Sequence, residues 1–476
     1  MELFYKVEDK PKFSQLIVLA LQQLLAIMAA TIAVPAIVGH GMSPSAALFG
    51  AGVGTLVYLL FTKFKSPVFL GSSFAFLGSM AAAVAGAVTV NAGFLGLILG
   101  AILAGLVYVV LALVVKSVGT NWISKLMPAV VIGPTVAIIG LSLAGNAVGD
   151  LGSALKNYLE DGTAVPVTNF YVALLCGLVT LFTTIACSVF GKKMMKMIPF
   201  VIGILAGYAL ASIFTVVGVV SGVEALKVID FSKFTTLNTV EAWVPQFTFI
   251  NAIKGFGDLS GAGEFFKLLG QVAVAYIPVA FVVFAEHIAD HKNLSTIIDK
   301  NLLEDPGLDK TLLGDGVGSM AGAFFGGCPN TTYGESIGCV AISGNASVVT
   351  ILTTSIMAII ISFVGPFSIF LATIPSCVMG GVCIALYGFI AVSGLKMLQG
   401  VDLGDNRNLF VVSVILIAGV GGLALNIAGV VTITEVACAL ILGILVNTLV
   451  RCKKDEPEAQ PAEAEEVPDE IIDSEE

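Results

Sequence analysis

Carboxylates embedded in apolar sequence are the residues of this chain best suited to chemistry. Glu335 is the only acid in residues 328–345, CPNTTYGESIGCVAISGN, a stretch that is otherwise apolar, small or neutral. Glu286 follows a long apolar run, and Asp290 comes four residues later, on the same face of a helix. A bare charge at such a depth is costly, so each acid is expected to be paired, hydrogen-bonded or protonated.

The residue types around these acids indicate what they would bind. Two carboxylates that face one cavity suit a flat solute with several N–H donors, because an ionised carboxylate only accepts hydrogen bonds. An inorganic anion would require Arg or Lys, and neither lies inside an apolar run. Ser73 and Phe74 are expected to offer backbone N–H groups at a helix start to acceptor atoms of the ligand. Phe74 and Tyr333 would supply aromatic walls.

Other polar residues near the acids have less specific interpretations. His287 and His291 are one helical turn apart beside Glu286. Two histidines without further ligands do not form a zinc site, and we expect both at the membrane interface. Gln23 lies in the first apolar run and requires a hydrogen-bond partner there. Asp315 stands between two glycines, where a hydrogen bond to backbone at a helix crossing is the expected role.

The composition around these residues is that of a membrane protein. Of 476 residues, 57% are hydrophobic and 12% are charged, and the mean hydropathy is +0.99. Apolar runs of about 18 residues recur from Gln15 onward, long enough for a helix to cross a bilayer. The alternation of polar and apolar residues that a transmembrane barrel requires does not occur. We therefore predict an all-α polytopic membrane protein.

The apolar runs between polar breaks predict fourteen transmembrane segments. With a cytoplasmic N-terminus, 18 of the 23 Lys and Arg residues fall on the cytoplasmic side, as the positive-inside rule requires. Both termini are then cytoplasmic, and the protein lies in the plasma (inner) membrane. The predicted spans are 14–38, 46–62, 68–88, 93–115, 127–147, 170–190, 197–220, 266–289, 311–327, 330–345, 347–365, 368–393, 408–424 and 428–450.

The chain ends and the cysteines exclude several functions. Residues 455–476 hold eleven acids and no base, so they account for the formal net charge of −10, and we predict a disordered acidic tail. This charge implies no nucleic-acid partner.

The eight cysteines lie in or beside apolar runs without metal-ligand spacing, which favours core packing. The polar N-terminus leads into a full-length span and is interpreted as an anchor, not a cleaved signal.

Two halves of the chain contain matching motifs. Three motifs occur twice, in the same order: GAGVGT at 50–55 and GDGVGS at 314–319, GSSF at 71–74 and NTTY at 330–333, and PAVVIG at 128–133 and PSCVMG at 375–380. Each half carries seven predicted spans, so the second half would enter the membrane in the opposite sense. An inverted 7+7 repeat with broken spans 3 and 10 is typical of secondary transporters, which bind substrate where the breaks meet. Close helix packing by glycines is the alternative explanation.

These residues together resemble the nucleobase/ascorbate transporter family (nucleobase:cation symporter-2), and most closely its bacterial uracil permeases. The matching stretches are LQQLLAIMAATIAVP, LGSSFAFL, FAEHIADH, DPGLDKTLLGDGVGS, PNTTYGESIG and IPSCVMGGVCIALYG. The resemblance implies a secondary active transporter, not an enzyme, that imports uracil with a cation, H⁺ or alternatively Na⁺, and without a cofactor. It also implies alternating access by an elevator-type motion and a homodimer.

The resemblance assigns roles to individual positions. It implies that Glu286 and Glu335 hold the pyrimidine ring, that Phe74 and Gly334 contact it through backbone, and that Tyr333 lies beside it. Ser73 is included in this substrate site. An acid at position 335 resembles the uracil branch of the family, whereas xanthine and urate relatives tend to carry Gln there.

The same resemblance divides the chain into two domains. It implies a core domain of spans 1–4 and 8–11 and a gate domain of spans 5–7 and 12–14. The predicted segments are a cytoplasmic N-terminus at 1–13, the core domain at 14–126 and 266–366, the gate domain at 127–220 and 367–450, an extracellular linker at 221–265 and the acidic cytoplasmic tail at 451–476.

The chain departs from the family pattern where coupling to a cation is concerned. Asp290 stands where uracil permeases often carry a proton-coupling His, and Gln23 replaces a His of the first span. Asp290, Gln23 and His287 are therefore the candidates for coupling. A xanthine, urate or broader nucleobase permease is the alternative within the family, and an anion exchanger or channel is the alternative from another class. An intramembrane enzyme lacks support, because no Ser/His or paired-Asp protease pattern is visible.

Overall fold

The computed structural model describes residues 3–158, 164–192, 195–196, 198–427 and 431–451. The chain is mostly helical. Residues 452–476, which form nearly all of the predicted acidic tail and include Cys452, lie outside the described residues.

Helices and short strands follow one another along the described residues. The first nine helices are α1 Phe13–Val38, α2 Pro44–Phe61, α3 Leu77–Ala85, α4 Val90–Val118, α5 Asn121–Leu126, α6 Ala129–Ser142, α7 Ala144–Leu151, α8 Phe170–Phe190 and α9 Pro199–Ser221. The next nine are α10 Thr248–Asp258, α11 Ala262–Ile298, α12 Leu308–Gly326, α13 Gly334–Ser343, α14 Val348–Ile361, α15 Gly365–Thr373, α16 Ser376–Lys396, α17 Asn406–Val420 and α18 Glu435–Arg451. The strands are β1 Leu70–Ser72, β2 Lys156–Tyr158, β3 Ala164–Pro166, β4 Asn330–Thr332, β5 Leu425–Ile427 and β6 Val431–Ile433.

The helix lengths are those of a multi-pass membrane protein. Within the described ranges, eight helical segments are long and apolar enough to cross a membrane, and α14 with α15, which meet at 85°, would make a ninth. The longest is α11 with 37 residues, so it extends beyond the predicted span 266–289 at both ends. Helix α10 lies inside the predicted linker 221–265. The count of fourteen spans stays a prediction.

Helices α2 and α12, which carry the two copies of the first repeated motif, pack closely through glycines. A Cβ atom on Gly54 would lie 2.7 Å from the carbonyl oxygen of Gly318, and a Cβ atom on Gly318 would lie 2.6 Å from that of Gly54. Contacts this short are not tolerated, so the two helices can cross at this separation only because both positions lack a side chain.

The two copies of the second motif form an antiparallel strand pair, β1 with β4. Gly71 pairs with Thr331, and the ring of Tyr333 covers the face of Gly71, where a Cβ atom would collide with it. The backbone N–H of Ser73 donates to the carbonyl oxygen of Pro329 at 2.9 Å, which extends the pair by one bond. This pair satisfies backbone groups of extended chain in a buried position, where water is not available to do so.

The third motif places a proline directly before each of two helices that contact each other. Pro128 precedes α6 and Pro375 precedes α16, and proline suits this place because its fixed φ and missing N–H do not disturb a helix start. A Cβ atom on Gly133 of α6 would lie 3.0 Å from the carbonyl oxygen of Gly394 of α16. The first two repeated motifs are therefore in contact with their own copies, whereas the copies of the third begin two helices that pack against each other.

The helices pack in two groups. In the first, α2 and α4 pack against α12, α4 also packs against α10 and α11, and α14 packs against α1 and α2. In the second, α6 packs against α16, α17 and α18, and α8 packs against α9 and α16. Helix α11 reaches the second group through α6, α18 and β6, while α1 reaches it through α9 and α16. The residues singled out in the sequence lie on α1, α11, α12, α13, the strand pair and the turn that follows β1, and α13 packs against α1 and α11 of the first group.

Candidate functional site

The strand pair fixes the starts of two helical segments. Helix α13 begins at Gly334, directly after β4, and a short helical turn that leads into α3 begins at Phe74, directly after β1. Because β1 and β4 are antiparallel, the two helical segments leave the pair in opposite directions. Each helix start presents N–H groups without partners inside the helix, and these groups favour acceptor atoms of a ligand.

The first turn of α13 opens to accessible space. Glu335 is half-buried there, whereas Gly334 is exposed. A Cβ atom on Gly334 or on Gly338, one turn later, would meet no atom within 4 Å. The turn that carries the predicted carboxylate therefore has an unfilled face beside it.

The acids of α11 lie near this turn. Glu286 is half-buried and interacts electrostatically with Asp290, Glu335 and Asp315. Asp290, also half-buried, interacts with Glu335 and Asp315 in the same way. The structure thus brings Glu286, Asp290 and Glu335 from two separate helices into one region, next to the strand pair.

A hydrogen bond joins Asp290 to the strand pair. The hydroxyl of Thr332, the last residue of β4, donates to a carboxylate oxygen of Asp290 at 2.7 Å. Thr332 is two residues before Gly334. A change in the charge of Asp290 would therefore alter a hydrogen bond close to the start of α13. Asp290 is therefore tied to the strand pair, and its part in coupling stays a prediction.

Gln23 supports α13 from the other side. Its amide Nε2 donates to the hydroxyl oxygen of Ser336 at 2.5 Å and lies 3.3 Å from the carbonyl oxygen of the same residue. The hydroxyl oxygen of Ser336 also accepts from the backbone N–H of Phe69 at 3.0 Å. The prediction that Gln23 finds a polar partner is confirmed, and that partner directly follows Glu335. Its part in coupling stays a prediction.

The aromatic and hydroxyl residues of the predicted site are held in different ways. The hydroxyl of Tyr333 donates to the carbonyl oxygen of Ser72 at 2.9 Å, so this buried side chain is fixed on the strand pair. The ring of Phe74 packs edge-on against Tyr387 of α16, with centroids 5.6 Å apart. The prediction that Ser73 offers its backbone N–H to a ligand is wrong, because this group donates to Pro329 in the strand pair, and the buried hydroxyl of Ser73 has no hydrogen-bond partner.

The two histidines are buried inside the protein, and their expected place at the membrane interface stays a prediction. His287 Nδ1 lies 2.7 Å from Asp315 Oδ2, and its Nε2 lies 3.0 Å from the hydroxyl of Thr311. His291 Nε2 lies 2.7 Å from the hydroxyl of Tyr58. Their partners lie on α2 and α12, so these two helices cover both histidines. Asp315 therefore bonds to an imidazole and not, as expected, to backbone at a helix crossing.

Sequence reasoning missed Ser336 and Tyr387 as parts of the site. Ser336 directly follows Glu335, and its small hydroxyl in an apolar helix was the available signal. Tyr387 belongs to the second group of helices, and no local pattern shows that its ring meets Phe74. In the part of the chain that the structure describes, no three His, Cys, Asp or Glu side chains are grouped so as to hold a metal ion.

Comparison with known proteins places this arrangement in a family. Residues 14–427 match the model of the Permease family (Xan_ur_permease). The chain is 40% identical to the uracil permease of Bacillus caldolyticus over 446 residues, which cover 93% of this chain and 94% of that protein. It is 37% identical to the uracil permease of Bacillus subtilis over 454 residues, covering 94% and 96% of the two chains.

Solved structures show the same fold at low identity. The transmembrane domain of the cyanobacterium bicarbonate transporter BicA superposes with a TM-score of 0.58 and 15% identity, covering 93% of this chain and 99% of that domain. At this identity the likeness concerns the fold alone.

Proposed function

Because this chain belongs to the Permease family, we propose that it imports uracil across the plasma membrane by symport with a cation. The observation that carries the proposal is the packing of α11, which bears Glu286, against α13, which bears Glu335, beside the open face at Gly334. The two relatives compared above are named uracil permeases, which supports this substrate. The family comprises transporters and not enzymes.

The site residues match the hydrogen-bonding pattern of uracil. The ring offers two N–H donors and two carbonyl acceptors, so Glu286 and Glu335 would accept from the N–H groups. Backbone N–H groups at the starts of the two helical segments, at Phe74 and Gly334, would donate to a carbonyl oxygen. Phe74 and Tyr333 would flank the flat ring. A half-buried carboxylate pair without a ligand is unfavourable, and a ligand with two donors would relieve this cost.

We propose for the whole chain an inverted 7+7 repeat of fourteen spans, with spans 3 and 10 broken at β1 and β4. The contact of the first two repeated motifs with their own copies supports this arrangement. The two groups of helices support a core domain and a gate domain that would move against each other as an elevator. Cytoplasmic termini and a homodimer complete the proposal.

An uptake assay with competition tests the function. Cells that lack their own nucleobase permeases and express this chain should accumulate radiolabelled uracil. Excess unlabelled uracil should block the uptake of radiolabelled uracil. Excess xanthine or urate should leave most of this uptake unchanged. Equal block by a purine would favour the broader nucleobase permease. Bicarbonate exchange or ion current independent of uracil would instead indicate the anion exchanger or channel.

Asp290 is the proposed carrier of the coupling proton, with Gln23 and His287 as supporting residues. Asp290→Asn should abolish gradient-driven accumulation of uracil but leave measurable binding, because the amide preserves shape and cannot carry a proton between the two sides. Accumulation and equilibrium binding would be compared in proteoliposomes with and without a proton gradient.

The matched control is Asp299→Asn, at the C-terminal end of the same helix α11, where the residue is exposed and has the left-handed conformation that Asn accepts. This variant should transport normally. Full accumulation by Asp290→Asn would remove Asp290 from the coupling mechanism.

A further inference from the structure

A small cavity lies between α4, α11 and α12, separate from the open face at Gly334. Its polar lining consists of Tyr108 from α4, Asp315 and Ser319 from α12, and Asn330 from β4. Oxygen-bearing side chains from three elements therefore surround one space, and no Lys or Arg is among the residues that line it.

Two of these side chains have buried atoms without a hydrogen-bond partner. Tyr108 is 4% exposed and Asp315 is 1% exposed. The hydroxyl of Tyr108 and Oδ1 of Asp315 make no hydrogen bond, although the second oxygen of Asp315 is bonded to His287. A buried polar atom without a partner is strongly unfavourable, so the cavity is suited to a guest that both atoms can bind.

The chemistry of the lining favours a small hard cation over water alone. A water molecule could bond to both atoms, but it would not offset the charge of a carboxylate. Carboxylate, hydroxyl and amide oxygens are the ligands that hard cations prefer. The hydroxyl oxygen of Ser319, which lines the cavity, accepts from the backbone N–H of Asn330 at 3.0 Å and has a second lone pair that an ion could use.

We propose that this cavity binds one Na⁺ ion, with Asp315 and Tyr108 as its principal ligands and Ser319 and Asn330 as supporting ones. The ion would link α4 to α12 and to the strand pair. It would also offset the negative charge of Asp315, the residue that is bonded to His287. Since His287 follows Glu286 on α11, ion binding would also influence the acids at the uracil site. That last link rests on the proposed function, whereas ion binding itself does not.

Thermal unfolding of the purified full-length protein without uracil tests the site. The midpoint of unfolding should rise saturably with NaCl, at fixed pH and at an ionic strength kept constant with choline chloride, because an ion that binds only the folded state stabilises it. Tyr108→Phe, which removes only the partnerless hydroxyl, should lose most of this rise. Asp315→Asn should lose all of it.

Tyr276→Phe is the matched control. Tyr276 is a buried tyrosine of α11 whose hydroxyl also has no partner, but it does not line the cavity. This variant should keep the full Na⁺-dependent rise. The proposal is overturned if the wild type shows no Na⁺-specific rise, which would mean that the cavity holds only water, or if Tyr108→Phe retains the whole rise. Should Asp315→Asn fail to fold, the comparison of the two tyrosine variants decides.

Discussion

Glutamine in place of Glu286 or Glu335 is expected to weaken uracil binding by about 10- to 100-fold, because a hydrogen bond to a charged acceptor contributes about 1.5–3 kcal/mol. Glutamine keeps the size of the side chain but replaces an acceptor oxygen with an N–H₂ donor, which would face an N–H donor of the ring. Equilibrium binding of radiolabelled uracil to the purified variants measures the loss directly.

Glu304→Gln is the control for this pair. Glu304 is an exposed acid between α11 and α12, so its replacement tests the effect of losing one negative charge away from the site. It should bind uracil as the wild type does. If either Glu286→Gln or Glu335→Gln binds uracil with unchanged affinity, that residue does not hold the ring, and the proposed site is wrong in that half.

The second large effect is expected on stability, at the crossing of α2 and α12. Gly54→Ala would place a Cβ atom 2.7 Å from the carbonyl oxygen of Gly318 and closer still to the amide of Asn330. The helices would have to separate, and we expect a loss of about 1–3 kcal/mol in unfolding free energy, as for other overpacked contacts. Thermal unfolding and the yield of monodisperse protein in detergent measure this loss.

Gly270→Ala is the matched control for the helix crossing. Gly270 lies within α11, and a Cβ atom there would meet no atom within 4 Å. Alanine favours helix more than glycine, so this variant should be as stable as the wild type or slightly more stable. A stable Gly54→Ala protein would show that α2 and α12 do not pack through their glycines.

The multi-pass membrane character and the family could be predicted from the sequence because the signals for both are local. An apolar run of sufficient length predicts a helical span wherever it stands, and the family resemblance rests on contiguous stretches such as PNTTYGESIG. The strand pair was indicated only indirectly, since NTTY and GSSF could be recognised as copies, but their direct contact could not be read from the spacing.

The hydrogen-bond partners of the buried polar residues could not be predicted from the sequence. Gln23 bonds to Ser336, 313 positions away along the chain, and Tyr58 bonds to His291, 233 positions away. The partners of the two histidines also lie on other helices, α2 and α12, and no local pattern indicates them.

The sequence by itself therefore determined which residues are costly to bury, because that cost depends on the side chain and its apolar neighbours along the chain. Only the tertiary structure decided which groups offset the cost. Asp315 faces His287 and a cavity, and Asp290 faces Thr332, because α4, α11, α12 and the strand pair are packed together. Hydrogen bonds form over about 3 Å in space, a distance that separation along the chain does not specify.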